Sequence, residues 1–282
     1  METEHKHWYP NGNLREHKFY RNGKLNEERK TWHENGQLET HSLYQNGERE
    51  GEFKAWHENG QLWMQIFYQK GERHGTRKIW LPDGKSLLQE CYRNGKLEGK
   101  REEWHENKQL RTQEFYLDGN IEGECRTWHR NGQPEECSSY RNGKLEKYRS
   151  YYANGQPRIQ SYYRNGSREG ERKLWYENGQ LHMQEFYQNG KLEGERKHWY
   201  ESGNIAAREF YKNGVEDGIQ KWWLENGFLH RHAFSRNGGC IKWFSFIRKF
   251  TLLRGIRNYR KRTIDSIDTM IISDLTRIVS QM

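Results

Sequence analysis

No segment of this chain approaches the run of about 18 apolar residues that a membrane-spanning helix requires. Its opening, METEHKHWYP, has neither the basic nor the apolar region of a secretory leader. The expectation is a soluble, intracellular protein. Cysteine is scarce as well: Cys91, Cys125, Cys137 and Cys240 form no C-x-x-C pair and no disulfide framework, which fits a reducing compartment. Proline occurs 4 times and hydrophobic residues make up 32% of the 282 positions, which excludes a dense globular core. There is no Gly-rich phosphate loop opening a helix, no nucleophile elbow and no H-E-x-x-H helix. Phosphate binding, acyl transfer and zinc hydrolysis thus lack their local signatures. No enzyme activity and no cofactor are expected.

Rings and glycine are abundant: 17 Tyr, 12 Trp, 11 Phe and 28 Gly. They recur in order. Trp8, Trp32, Trp56, Trp80, Trp104, Trp128, Tyr151, Trp175, Trp199 and Trp223 each stand four residues before a turn position, at a step of 24 residues that shortens to 23 only between 128 and 151. A second column, Tyr20, Tyr44, Tyr68, Tyr92, Tyr116, Tyr140, Tyr163, Tyr187 and Tyr211, precedes a second set of glycines by three residues. Ten copies fill residues 6–238, the signature of an array whose units stack only on their neighbours. Asn-Gly pairs such as Asn22-Gly23, Asn35-Gly36 and Asn46-Gly47 tolerate the positive φ of tight hairpin turns. Turns 11 to 13 residues apart leave room for a strand but not for a helix and its connections. The fold class is therefore all-β: an elongated, single-layer antiparallel meander of about ten hairpin repeats, roughly 95 Å long at about 4.8 Å per strand. A bend or weak point is expected near residues 143–155, where one residue is missing, Lys147 replaces the usual glycine and Tyr151 replaces tryptophan.

Segments such as FYQNGKLEGERKHWYESGN (186–204) and CYRNGKLEGKREEWHENKQ (91–109) resemble the MORN repeat, in the variant form seen in bacterial antitoxin-like proteins and in large DNA viruses. The resemblance implies a rod-like sheet of hairpins with a role in assembly or membrane-proximal scaffolding, and no catalysis. The sequence departs from the commoner pattern two residues before the tyrosine, where Ile66, Glu90, Ser161 and Glu185 stand in place of glycine.

With a two-residue turn at Asn35-Gly36, alternation puts Trp32 on one face with Lys30, His41 and Leu43. A tryptophan ladder and a Phe19, Leu43, Phe67, Cys91, Phe115, Ser139, Tyr162, Phe186, Phe210, Phe234 ladder then share that face. The tyrosines and Leu14, Leu38, Leu62, Leu110, Leu181 and Leu229 take the other. A column of Lys6, Lys30, Lys54, Lys78, Arg126, Arg149, Lys173, Lys197 and Lys221 runs on the tryptophan side, interrupted at Glu102. It reads either as cations over neighbouring indoles with Glu28, Glu52, Glu171 and Glu195 as ion partners, or as a stripe for nucleic-acid phosphates or lipid headgroups. Residues 1–239 carry 39 basic and 36 acidic side chains, a net of only +3, which favours the first. The repeated W-H-E-N-G suggests a metal or general-base site, yet His33, His57, His105 and His129 alternate with Tyr9, Leu81, Tyr152 and Leu224, so the position reads as turn and ladder. Equivalent histidines two strands apart, about 9–10 Å, cannot share a zinc ion.

After Gly239 the beat stops. Residues 240–282 hold 9 basic and 3 acidic side chains, net +6. Residues 239–282 read as a basic, amphipathic, helical tail. Trp243, Phe246, Arg248, Lys249, Arg257, Arg260, Lys261 and Arg262 are its candidate interaction residues, and Ile264, Ile267, Ile271, Leu275 and Ile278 recur at helical spacing behind Thr263. The tail either caps the last hairpin or recruits a partner, including a second copy through the helix. The function expected is a scaffold for protein assembly. Anionic-membrane or nucleic-acid association through the tail, and antitoxin-like neutralisation of a partner, are the alternatives.

Overall fold

The computed structural model describes residues 1–245, and side chains as far as Ile241. Within that span 27 strands lie in one antiparallel sheet, and no helix occurs among the described residues. The sheet is open. Glu2–Trp8 pairs with Leu14–Arg21 at one end, Gly239–Ser245 pairs with Leu229–Arg236 at the other, and no pairing among the described residues joins the two ends.

The array extends further than the glycine beat suggested. Asn237-Gly238 is one more turn with two positive φ angles, 51° and 80°, and it returns the chain so that Gly239–Ser245 adds a strand. Trp243, expected in the tail, is paired with Ala233 in that strand. Phe246, Arg248, Lys249, Arg257, Arg260, Lys261, Arg262 and the expected helix over 263–278 lie outside the described residues.

Two kinds of turn alternate. At Asn22-Gly23 both φ angles are positive, 51° and 75°, and Arg21 pairs with Lys24: a two-residue loop whose twist suits the flanking strands. The W-H-E-N-G turn differs. Gly36 alone is left-handed (φ 83°), Gly36 N donates to His33 O at 2.9 Å, and His33 N donates to Gln37 O at 2.8 Å, leaving a three-residue loop. The two-residue loop expected at Asn35-Gly36 is corrected accordingly. A bulge between Thr31 and Trp32 absorbs the extra residue at once, so Lys30 still opposes His41 and Glu28 opposes Leu43. Trp32 itself opposes Leu38, as Trp56 opposes Leu62 and Trp175 opposes Leu181. The leucine column thus stands across from the tryptophans.

A second bulge interrupts most return strands. Tyr44 opposes Arg49 and His41 opposes Lys54, so four residues on one strand face two on the other, and Gly51 takes φ 73° there. In the 23-residue unit Tyr140 opposes Leu145 and Ser139 opposes Lys147, leaving Glu146 as the single extra residue. The deletion comes out of the bulge, and Lys144–Tyr151 is a continuous strand paired on both sides. The expected weak point is therefore not a gap in the ladder.

Its cost falls on the ties between units. His33 Nε2 reaches the carbonyl of Trp56 at 2.9 Å, His105 Nε2 that of Trp128 at 2.8 Å, and the hydroxyls of Tyr9, Tyr152 and Tyr176 donate to the carbonyls of Trp32, Trp175 and Trp199 at 2.8–2.9 Å. The position asks for a ring with a polar hydrogen at its far end, not merely a flat or apolar side chain; Leu81 and Leu224 go without. Asparagine makes a second tie: Asn35 Oδ1 accepts from Gln37 N, closing its own turn, while Asn35 Nδ2 donates to Glu58 O of the next turn at 2.9 Å. A third joins the opposite edge, where bulge carboxylates accept turn amides, as in Lys70 N to Glu50 at 2.8 Å and Asn189 N to Glu169 at 2.8 Å. At the short unit His129 Nε2 is buried with no hydrogen-bond partner among the described residues, and Glu146 turns to Arg141 at 3.2 Å. Inserting glycine between Glu146 and Lys147 is expected to restore both ties and raise stability by about 1–2 kcal/mol, read as a higher urea midpoint.

The core occupies one face. The column two residues before the tyrosines is the most covered in the molecule, with Ser42, Ile66, Glu90, Ser161 and Glu185 at 4% exposure or less. Phe53, Ala55 and Ile66 form a buried cluster against Met64 and Tyr68. Arg49 lies 5.2 Å over both Phe53 and Tyr68, and Arg73 and Arg168 lie 5.3 Å over Tyr92 and Tyr187, so amphipathic stems close over a single layer.

Candidate interaction surface

On the tyrosine face buried carboxylates bind guanidiniums from both neighbouring strands. Glu90 takes Arg77 at 2.6 Å, Arg101 at 3.4 Å and the Tyr92 hydroxyl at 2.6 Å; Arg101 continues to Glu114 at 2.8 Å. Glu185 repeats this with Arg172 at 2.5 Å, Arg196 at 3.5 Å and Tyr187 at 2.9 Å, and Arg196 continues to Glu209 at 3.7 Å. Burial pushes the Glu90 carboxyl up, but Tyr92 and Arg77 outweigh it and hold it below the usual range. Burial and then Glu114 push the Tyr116 hydroxyl up to about 12. These ladders were not foreseen. The signal was present as Arg77, Arg101, Arg172 and Arg196, each opposite or beside a glutamate where the commoner pattern has glycine.

His198 belongs to the same face, with its ring 3.8 Å from Glu209 and 6.2 Å from the His182 ring. Burial first, then Arg196 and His182, push its pKa down to about 4, against the pull of Glu185. The unfolded chain binds this proton near pH 6.5 and the folded chain only near 4. Stability is therefore unaffected above pH 6.5 and falls as pH drops towards 4, by on the order of 2–3 kcal/mol. His198→Gln is expected to flatten that part of a melting-temperature profile. An unchanged slope between pH 6.5 and 4.5 would refute it.

The opposite face is neutralised in place and left uncovered. Lys30, Lys54, Lys173 and Lys197 meet Glu28, Glu52, Glu171 and Glu195 at 2.6–2.8 Å, as the sequence suggested. Among the described residues the cations stacked on rings lie mainly over tyrosines, and none lies over a Trp32, Trp56, Trp80, Trp104, Trp128, Trp175 or Trp199 indole. Beside the ion pairs runs the phenylalanine ladder. Leu43, Phe67, Phe115, Phe186 and Phe210 are 36–40% exposed, and Trp63, four residues before Phe67 on the same strand, is 42% exposed. The structural ladder Tyr44, Tyr68, Tyr92, Tyr116 and Tyr187 lies on the covered face. Among the described residues no three His, Cys, Asp or Glu side chains converge to hold a metal ion, and no helix is long and apolar enough to cross a membrane.

A single-layer antiparallel array in which each unit is tied to the next by ring, asparagine and carboxylate bonds defines a repeat scaffold of β-hairpins. Nine stretches of the chain, 1–22, 28–46, 49–70, 97–118, 121–142, 147–165, 168–189, 182–196 and 192–213, match the family model described as the MORN repeat variant. The chain belongs to that family, whose members are generally non-enzymatic repeat scaffolds. No curated protein matches it. Among solved structures, chains in the crystal structures of TcdB2-TccC3-Cdc42 and TcdB2-TccC3 align over 86% of this chain at 8% and 11% identity, with TM-scores of 0.21 and 0.20. The aligned region spans 17% and 15% of those chains.

Proposed function

We propose that this array is a scaffold for assembly with another protein through its phenylalanine face. The exposed apolar row carries the reading, since large rings left open in a row on a sheet whose other face has closed its own core mark a contact surface. The local Lys–Glu pairs argue for a protein over nucleic acid, because a phosphate-binding groove needs an uncompensated positive excess. Leu43, Trp63 and Phe67 are its exposed members in the second and third units, and the fitting partner offers apolar side chains about 10 Å apart, the spacing of two strands. Membrane or nucleic-acid association through the basic tail and antitoxin-like neutralisation are the competing readings. The test is isolation of the native complex with and without Leu43→Ser and Phe67→Ser. A stoichiometric protein partner should be lost while the melting temperature stays within a few degrees. Binding that survives both changes, and disappears only when Arg257, Arg260, Lys261 and Arg262 are neutralised or salt is raised, would overturn the proposal.

A further inference from the structure

At the turns that follow the tyrosines, two successive amides reach back to the preceding unit. Asp118 N donates to Glu98 at 2.9 Å and Gly119 N to Leu97 O at 2.9 Å, and Asn189 N donates to Glu169 at 2.8 Å while Gly190 N donates to Arg168 O at 2.9 Å. Lys70, Asn142 and Asn213 use Glu50, Glu122 and Glu193 in the same way, at 2.6–2.8 Å. Each such turn is a small anion receptor filled by a carboxylate of the chain itself. Its glycine also packs on the unit behind it: a Cβ added at Gly119, Gly143 or Gly190 would stand 3.6–3.7 Å from Lys96, Asn120 or Ser167.

Asn165-Gly166 departs on both counts. Its φ angles, 53° and 81°, are those of the other turns, yet neither amide has a hydrogen-bond partner among the described residues, and a Cβ on Gly166 would meet nothing within 4 Å. Even Asn94-Gly95, with His74 in the glutamate's place, keeps the bond from Gly95 N to Arg73 O at 2.9 Å. The cause lies one unit back, in the shortened bulge. Glu146 stays on Arg141 at 3.2 Å, and Lys144, the counterpart of Lys96, Asn120 and Ser167, has no ion partner among the described residues. A cleft of about 400 Å³ opens between the two turns, lined by Arg141, Lys144, Glu146, Arg164 and Asn165. Arg164 faces Glu169 at 3.9 Å. Three cations against two carboxylates leave the Lys144 charge uncompensated beside two free amides.

We infer that the cleft between Asn142-Gly143 and Asn165-Gly166 binds a carboxylate from outside the chain. Asn165 N donates to it as Asp118 N and Asn189 N donate to Glu98 and Glu169, Gly166 N adds a second bond that the other turns spend on a carbonyl, and Lys144 supplies the opposite charge. A carboxylate is favoured over other anions because it is the group that the equivalent turns hold. The site lies on a turn edge and not on the phenylalanine face, so it goes beyond the contact proposed there and does not depend on it.

Amide NMR on the full chain tests this. Acetate and a blocked Glu-Gly-Glu peptide should each move the Asn165 and Gly166 resonances saturably and leave those of Asn189 and Gly190 in place, while a blocked Gln-Gly-Gln peptide should move none. The two probes separate the sources: a peptide that binds several-fold more tightly than acetate marks an acidic side chain of another protein, and equal affinity a free carboxylate. Lys144→Gln should weaken both several-fold and reduce their salt dependence. A glycine inserted between Glu146 and Lys147 should abolish binding and slow hydrogen exchange at Asn165 and Gly166 to the rates of Asn189 and Gly190. Shifts that chloride reproduces at equal ionic strength, or inorganic phosphate that binds more tightly than either carboxylate, would overturn the inference. Exchange in the parent chain already as slow at Asn165 and Gly166 as at Asn189 and Gly190 would overturn it too, since the amides would then be bonded within the chain.

Discussion

Glu185→Ala is expected to destabilise the array by about 3–5 kcal/mol, among the largest effects of any single substitution here, because it leaves Arg172 and Arg196 facing one another without the carboxylate between them. Glu185 is 2% exposed. Its loss strands the Arg172 guanidinium in low dielectric and takes one of two carboxylates from Arg196, and a small side chain supplies no acceptor for Tyr187. The arithmetic changes when charge is removed from both sides. Arg172→Leu with Glu185→Leu leaves Arg196 its contact to Glu209 and should cost no more than about 1–2 kcal/mol. Urea midpoints of the two variants check this. A double variant as unstable as Glu185→Ala would mean that the damage is lost volume and not stranded charge.

Ile66→Ala should cost about 2–4 kcal/mol, and Phe67→Ala, one residue on, less than about 1. Ile66 is 1% exposed inside the Phe53 and Ala55 cluster, whereas Phe67 is 40% exposed on the other side of the same strand. The larger side chain thus has the smaller effect, because burial and not size sets the loss. Comparable losses at both positions would show that the phenylalanine face is covered along its whole length. Because an array's stability is a sum of neighbouring terms, the loss at Ile66 should concentrate in hydrogen exchange around residues 51–80 and leave the last units near their parent rates.

The turns and the alternation were legible because glycine and asparagine mark positive φ and rings mark strand parity. Asn22-Gly23 and the pairing of Lys30 with His41 follow from those marks alone. The partner of Trp32 was not legible, since two-residue and three-residue loops share the Asn-Gly pair and a bulge beyond the turn makes their deeper registers identical. His33 read as a bulky turn residue because its bond goes to Trp56, 23 residues on, and only the stacking of units brings that carbonyl within reach. The covered column at Ile66, Glu90 and Glu185 was visible only as a departure from glycine. Which face becomes dry depends on how arginine and tyrosine stems fold over a single layer, and no periodicity encodes that. The same limit applied to Gly239–Ser245, where the turn at Asn237-Gly238 fits the repeat although the composition beyond it does not.

The bonds from one unit to the next have a mechanical consequence. A pull along the array acts across the strands, in line with their hydrogen bonds, so the ladder parts rung by rung from an end and does not shear all at once. Each 24-residue unit that leaves the sheet releases roughly 80 Å of extended chain in exchange for about 10 Å of sheet. A protein tethered at its two ends would therefore pay out as a series of near-equal lengths at low force and rewind when the load drops. The irregular steps should fall where Leu81 supplies no ring hydrogen and where His129 lacks its carbonyl, which would make those rungs the first internal ones to open under load.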